Sequence, residues 1–368
     1  MSADRIARAR RALAGLGVDA LLVNRPENRR WLSGVSAHDA SPTAHAGWIL
    51  LGPERAVLVT SFLYEGTARD EADGVDVALA RPPQRVHERF AEEIRAAGVG
   101  RVGFDKAWFT FGHHEELRRA LGDDPVDLVP IDDPIFPLRA VKDADELATI
   151  KRAIDLSDRA MEALYGELRP GMTEAEAAWF LESFMRTRGA EGMAFEPGVA
   201  SGPNSAIPHH KPGDRPIGAG EPIWIDIGAR VDGYCSDITR TVLLGRPDDQ
   251  YRRVWNEVLE AQRRALDFIR PGRHGRECDA VARDHLASVG LGEAFGHSLG
   301  HGVGLLIHEL PTLSTRSDEA EKLEPGMVVT VEPGAYLPGW GGVRHEELTV
   351  LTDGGLEILT RAARPMTL

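Results

Sequence analysis

The stretch PIWIDIGARVDGYCSDITRTVLL, residues 222–244, decides how the rest of the chain is read. It sets Asp226 among Trp224, Ile225 and Ile227, and Asp237 ahead of Ile238, Thr239, Thr241 and Val242. Each aspartate stands among β-formers, where a buried strand would take Val or Ile. Gly228 and Asp232-Gly233 supply loop and turn chemistry between the two runs, so Ile223 to Leu243 is predicted to form a β-hairpin. If its strands pair antiparallel, both carboxylates project from one face. Two such groups side by side do not both stay ionised in a low dielectric unless a cation sits between them. The hairpin points to metal.

Working outward, the last third copies this logic. Apolar strands Met327–Glu332 and Val343–Leu351 are predicted to pair through the Gly- and Pro-rich residues 333–342, with Glu332 ending one and Glu346 inside the other. Two helices precede each hairpin. The first starts at Asp143 with Glu146 as its capping box, presents Leu147, Ile150, Ile154, Met161 and Leu164, and stops at Arg169-Pro170-Gly171. The second opens with Thr173 and Glu176, carries Trp179, Leu181, Phe184 and Met185, and ends at Gly189. The other two are predicted over about 249–269, closed by Pro271-Gly272, and about 275–289. Two helices and a carboxylate hairpin, repeated, make a pseudo-twofold domain.

Residues 1–132 read differently. Strands at Ala20–Val23, Trp48–Leu51, Ala56–Thr60, Val75–Leu79, Val102–Phe104 and Leu128–Ile131 alternate with helices such as Val86–Ala97 and His114–Leu121. That rhythm predicts a small α/β domain without a Gly-rich phosphate loop. Asp132-Asp133-Pro134 and Phe136-Pro137 break regular structure, so the expected domains are 1–132 and 133–368.

The 42% hydrophobic and 27% charged fractions are those of a soluble globular chain. A net charge of −14, from 57 acids against 43 bases, repels phosphate backbones and argues against nucleic-acid binding. The basic start (Arg5, Arg8, Arg10, Arg11) reads as the wet face of an amphipathic helix burying Ile6, Leu13 and Leu16. Two cysteines, Cys235 and Cys278, make no disulfide framework, and no run reaches membrane-spanning length. The expectation is a cytoplasmic protein without membrane contact.

Asp226, Asp237, Glu332 and Glu346 are thus four acids from two hairpins. GHSLGHGVGLLIHE, residues 296–309, lies between them with His297, His301 and His308. Oxygen-rich sites with one imidazole suit Mn²⁺, Co²⁺, Fe²⁺ or Zn²⁺. Four carboxylates exceed the needs of one ion and match two-metal sites, whose ions stand roughly 3.5–4 Å apart. His308-Glu309-Leu310-Pro311-Thr312 is not a zinc HExxH helix, because the second His is absent and Pro311 interrupts. His285 is read as a surface or core residue.

In this order, DIG (226–228), YCSDITRT (234–241), GHGVGLLIHE (300–309), VEPGAY (331–336) and VRHEE (343–347) resemble the motifs of the creatinase/aminopeptidase P/prolidase family of pita-bread metallopeptidases. SGPNSAIPHHKP (201–212) resembles the family's first histidine motif, and NRRWLSG (28–34) a recurrent phrase of its accessory domain. The resemblance implies an α+β fold: a pita-bread catalytic domain with a pseudo-twofold repeat, preceded by a smaller α/β domain. It implies two divalent ions, most simply Mn²⁺, held by Asp226, Asp237, His301, Glu332 and Glu346. Asp226 and Asp237 would bind one ion, Asp237 also reaching the second; His301 and Glu332 would hold the second, and Glu346 would bridge both. A metal-bridging hydroxide would attack the carbonyl before proline, with Glu332 moving its proton. His209 and His308 would donate to the scissile group. His297 would border the proline pocket, and Arg344 would orient the metal carboxylates.

The implied activity is hydrolysis of the Xaa-Pro bond at a peptide N-terminus, with an Xaa-Pro dipeptidase as the alternative and a lyase or other hydrolase on the same fold behind it. A dipeptidase must recognise the free substrate carboxylate, for which an Arg is the natural clamp, and the family's dipeptidase pattern tends to place that Arg soon after the HE-x-P motif. Thr312 occupies the family's Arg position here, and Arg316 lies four residues on. Methionine aminopeptidases resemble only the C-terminal part, and binding-only relatives lack most ligands. Trp340 either walls the substrate pocket or covers the core. Cys235 shares strand parity with Asp237 and either faces the metals or packs as a small hydrophobe. The resemblance also implies a homodimer, in which His38 and His45 would be the residues to inspect.

Overall fold

The computed structural model describes residues 2–37, 43, 46–318 and 321–368, so His38 and His45 lie outside the described residues. The chain divides into two compact units, Met1–Arg139 and Ala140–Leu368.

The first unit is built on a six-stranded sheet. Its order is Asp76–Ala80, Ala56–Ser61, Trp48–Leu51, Ala20–Val23, Arg101–Asp105, Asp127–Ile131. The two pairings that involve Trp48–Leu51 are antiparallel and the other three are parallel, as expected where helices cover the sheet. Trp48 centres the core, edge-on to Phe90 at 5.6 Å and Phe109 at 5.4 Å. Two helices escape the sequence reading, Pro26–Ser33 and Glu65–Glu71. The first has both expected punctuation marks, Pro26 at its start and Gly34 closing it at φ +77°. It contains the NRRWLSG phrase, and Arg29 there is fully buried and donates to Gly47 O at 2.8 Å.

The boundary falls seven residues beyond the expected 132/133. Asn28 Nδ2 donates to Asp133 Oδ2 at 2.6 Å, Arg139 Nη1 donates to Asn28 Oδ1 at 2.7 Å, and Ile135 is fully buried. These long-range bonds hold residues 133–139 in the first unit, although Asp132-Asp133-Pro134 punctuates the chain locally.

In the second unit, Asp143 caps the helix Ala144–Glu167 by accepting from Glu146 N at 2.9 Å, while the Glu146 side chain accepts from Asp143 N at 3.0 Å. Thr173 and Glu176 do the same for Glu174–Arg186. These helices share a core with the antiparallel strands Gly198–Ser201, Pro222–Ile227 and Ile238–Leu243 through Met161, Leu164, Leu181, Ile225 and Val242. The helices Asp249–Phe268 and Gly275–Ser288 share another with Gly300–Gly302, Val328–Val331 and Glu347–Thr352 through Val258, Ala282, Leu286 and Val329. Each fully buried Leu or Val in these layers contributes about 1.5–3 kcal/mol. Pairing order repeats between the halves; Glu309–Leu313 and Gly355–Ile358 are edge additions to the second sheet.

Both hairpins differ from the expected continuous ribbons. Pairing in the first closes at Ile227↔Ile238, and Ala229–Val231 with Tyr234–Cys235 then splays into a separate ribbon beside Gly192–Met193. In the second, pairing closes at Val331↔Glu347, and Gly334–Leu337 with Gly341–Arg344 forms its own ribbon. The expected strand Val343–Leu351 is therefore two strands. Asp237 and Glu346 occupy equivalent places, each one residue before the closing pair. The crossing is tight: a Cβ on Gly228 would stand 2.2 Å from Ser236 O. Splaying frees these two acids from the β-ladder and turns them toward each other.

Candidate metal centre

Carboxylate oxygens of Asp226, Asp237 and Glu346 lie within 4.8 Å of one another. His301 Nε2 stands 3.2 Å from Glu332 Oε1 and 3.6 Å from Asp237 Oδ2. All five expected ligand residues thus come together, two from the first half and three from the second. The His301 ring is fixed by Nδ1, which donates to Gly302 O at 3.1 Å and leaves Nε2 facing the acids. Glu346 spans the halves: its N–H donates to Thr239 O at 3.1 Å, and its Oε2 accepts from Thr239 Oγ1 at 2.8 Å.

Arg344 lies beneath this cluster. Its Nη2 donates to Asp226 Oδ2 at 2.6 Å, its Nε to Thr239 Oγ1 at 3.1 Å and its Nη1 to the Tyr336 hydroxyl at 2.7 Å. The guanidinium also sits 4.8 Å over the Trp224 ring. The Tyr336 hydroxyl is 3.0 Å from His297 Nε2, and His297 Nδ1 donates to Ser298 O at 2.8 Å. With its proton on Nδ1, His297 accepts from Tyr336, and burial keeps its pKa below the usual imidazole range.

Burial and the neighbouring carboxylates push Asp237 and Glu346 well above the ordinary range, and burial raises Asp226 despite Arg344. Burial also acts on Glu332, but the His301 hydrogen bond and charge outweigh it and hold Glu332 down to about 2. His301 is raised in turn, its desolvation outweighed by Glu332. Asp226 Oδ1 is buried without a hydrogen-bond partner among the described residues. An orphaned carboxylate oxygen among mutually repelling acids is what a cation completes, and the four-acid, one-imidazole donor set suits divalent ions. The residues fit.

A cavity of about 740 Å³ opens over the cluster, bordered by His209, His297 and His308. His308 meets the His301 ring edge-on at 4.3 Å, and burial with the nearby His301 charge lowers its pKa. Trp340 is absent from the cavity wall among the described residues and packs on the core of the second half, so of the two alternatives the structure supports core cover over substrate binding. Its turn is closed by Trp340 N donating to Leu337 O at 3.0 Å. Cys235 is fully buried and also missing from the wall. His285 pairs with Glu257 at 2.9 Å.

Sequence reasoning passed over Arg283, Phe195 and Ile307, which also line the cavity. Arg283 was findable: it stands four residues after Asp279 on one helix, and the pair closes at 2.7 Å. Phe195 and Ile307 lie on irregular segments with no such spacing. Behind His308, Glu309 Oε1 pairs with Lys142 Nζ at 2.8 Å, with side chains 2% and 1% exposed. Lys142→Met would remove the buried counter-charge of Glu309. It is expected to lower stability by about 3–5 kcal/mol in urea titration, with Lys142→Met/Glu309→Leu recovering most of that. A single-mutant loss under about 1 kcal/mol would contradict the burial of the pair.

Repeated helices and split hairpins that bring four carboxylates and one imidazole together fit a metallopeptidase architecture. The profile of metallopeptidase family M24 matches residues 148–353, and that of the creatinase/prolidase N-terminal domain matches residues 5–141; the chain belongs to family M24. Among curated relatives, the uncharacterized peptidase YqhT of Bacillus subtilis is 35% identical over 362 residues, covering 98% of this chain and 99% of the relative. The solved structure of Xaa-Pro dipeptidase from Bacillus anthracis superposes with a TM-score of 0.93 at 36% identity over 100% of both chains. X-Pro aminopeptidase from Thermotoga maritima gives 0.88 at 36% identity over 97% of this chain and 100% of its own. The second unit therefore has the pita-bread fold. No described helix is long and apolar enough to cross a membrane.

Proposed function

We propose that this chain is a metal-dependent exopeptidase that hydrolyses the Xaa-Pro bond at the N-terminus of peptides. The observation that carries the reading is the convergence of Asp226, Asp237, His301, Glu332 and Glu346 under a cavity bordered by three histidines. Asp226 and Asp237 would hold one ion, His301 and Glu332 the other, and Glu346 both, with Mn²⁺ the favoured species. Bound ions would supply Lewis acidity and lower the pKa of a water at the site towards neutrality. Glu332 is ionised across the neutral range; it accepts the nucleophile's proton and delivers it to the leaving proline nitrogen. His209 and His308 donate N–H bonds to the oxyanion developing on the scissile carbonyl. Arg344 keeps Asp226 in register by its bond at 2.6 Å. His297 borders the pocket for the proline ring.

One observation favours Xaa-Pro dipeptides as a second substrate class. Arg316 lines the same cavity as Thr312, and its guanidinium has no ion-pair partner among the described residues. It is therefore available to a free carboxylate. The deciding experiment is hydrolysis of Ala-Pro and Ala-Pro-Ala by Mn²⁺-loaded protein beside a chelated control. Faster cleavage of the tripeptide at Ala–Pro supports the aminopeptidase. Faster cleavage of the dipeptide supports the dipeptidase, and Arg316→Gln should then raise KM for Ala-Pro by about 10–100-fold, the value of a charge-assisted bond. Absence of metal-dependent cleavage of either peptide sinks both readings. The two buried free cysteines accord with a reducing cytoplasm, and sedimentation would test the expected homodimer.

A further inference from the structure

Glu174 opens the helix Glu174–Arg186, and its carboxylate is fully buried. It does not cap that helix; Thr173 does, accepting from Glu176 N at 3.1 Å. Among the described residues, the side-chain bonds of Glu174 all go to the loop 201–210. Oε1 accepts from Ser201 N and Ser201 Oγ, each at 2.8 Å, and from Asn204 Nδ2 at 3.1 Å. Oε2 accepts from Asn204 Nδ2 at 3.1 Å and from His210 Nε2 at 2.8 Å. The charge is favoured by the first-turn N–H groups of its own helix, and a bond from His210 to an ionised acid is of the strong class.

That loop delivers His209 to the cavity wall. The His209 ring makes no hydrogen bond among the described residues, so its placement is set by the backbone on either side. On one side Pro208 O accepts from Arg344 Nη1 at 3.3 Å. On the other, His210 is tied to Glu174. The second half repeats the device: Asp279, fully buried on Gly275–Ser288, accepts from Leu299 N at 3.0 Å and pairs with Arg283, whose Nη2 donates to His297 O at 2.8 Å. In each half a buried acid on the second helix braces the loop that presents a histidine to the cavity.

We propose that Glu174 is the positioning residue for His209, acting through His210 and the loop 201–210 to hold that imidazole over the scissile carbonyl. The proposal rests on the catalytic reading of His209 given above. Glu174→Gln preserves size but turns an amide N–H₂ toward groups that are themselves donors, so one buried donor loses its acceptor. The loop then loses register with the cavity.

The test uses the full, Mn²⁺-loaded chain. Glu174→Gln should keep the parent's metal content and exchange its amides at 202–210 faster. It should lose about 10–100-fold in kcat, the scale of a 1 Å misplacement, with KM within about twofold. In a His209→Ala background the same change should cost nothing further, because the group it positions is gone. Losses that multiply independently would overturn the proposal, as would unchanged exchange at 202–210. If Glu174→Gln does not fold, His210→Ala removes only the ring and must reproduce the kcat loss, while His210→Gln, whose amide N–H still reaches the carboxylate, must recover most of it. If His209→Ala is as active as the parent, the catalytic reading of His209 fails; the bracing role of Glu174 is then judged by amide exchange alone.

Discussion

Replacing Glu346 with Gln is expected to remove metal and activity together, with at least one ion lost per chain by elemental analysis and kcat reduced by about 10³-fold or more. The magnitude follows from the several kcal/mol of transition-state charge stabilisation that metal ions supply, at 1.36 kcal/mol per decade. Glu346 is the acid that ties the second half to the aspartates of the first. Its oxygen lies within 4.8 Å of ligand oxygens of Asp226 and Asp237, and its backbone and side chain both bond to Thr239 across the two halves. The carboxamide keeps the size and the Thr239 contact but lacks the charge, so loss of metal without unfolding separates ligation from packing. A Glu346→Gln protein that retains two ions and full turnover would remove the metal centre from the chemistry.

The second large effect concerns metal removal and pH. Ligation that reaches about 1,000 times the dissociation constant adds about 4 kcal/mol, so chelation should lower the unfolding temperature of residues Ala140–Leu368 by roughly 8–16 °C. The sign of the pH dependence follows from the acids. In the stripped protein Asp226, Asp237 and Glu346 are raised by burial and by one another, so the folded state binds more protons than the unfolded chain. Their contribution is full below the ordinary carboxylate range and is lost as pH climbs through the raised values. His301, also raised, acts in the same direction from its ordinary range upward. Glu332 acts oppositely, but its contribution is lost only as pH falls toward about 2. Bound ions keep the acids ionised at no such penalty. Calorimetry of loaded and stripped protein should show the gap widening from about pH 5 to about pH 8; a gap independent of pH would contradict the raised acids.

Much of this was legible in the chain because the acids violate a strong local rule. An Asp between Ile225 and Ile227 is conspicuous in a strand, and caps such as Asp143 with Glu146 are short-range signals that the structure keeps. What could not be read were features made by distant partners. Residues 133–139 look like the start of the second domain until Asn28 binds Asp133 and Arg139. The expected Val343–Leu351 strand is interrupted at His345 and Glu346 because the second ribbon has to splay. Trp340 beside a Gly-rich turn suits a pocket wall or a core cover equally in one dimension. Only packing against the core of the second half separates the two. Glu174 carries no sequence signal at all, since an acid in the first helical turn is ordinary.

The halves also divide the ligands in time. A chain made from its N-terminus exposes the Asp226–Asp237 hairpin on the order of a hundred residues before Glu346, an interval of roughly 5–20 s at about 5–20 residues per second. Through that interval the first half offers two of the candidate ligand acids and not yet His301, a donor set too sparse to discriminate among divalent ions. Discrimination begins when the second half delivers His301, Glu332 and Glu346 together. An ion held by this set would therefore be selected only after translation of the second half, by the free-ion pool the completed fold meets, and expression under altered metal supply should change what is bound without changing the fold.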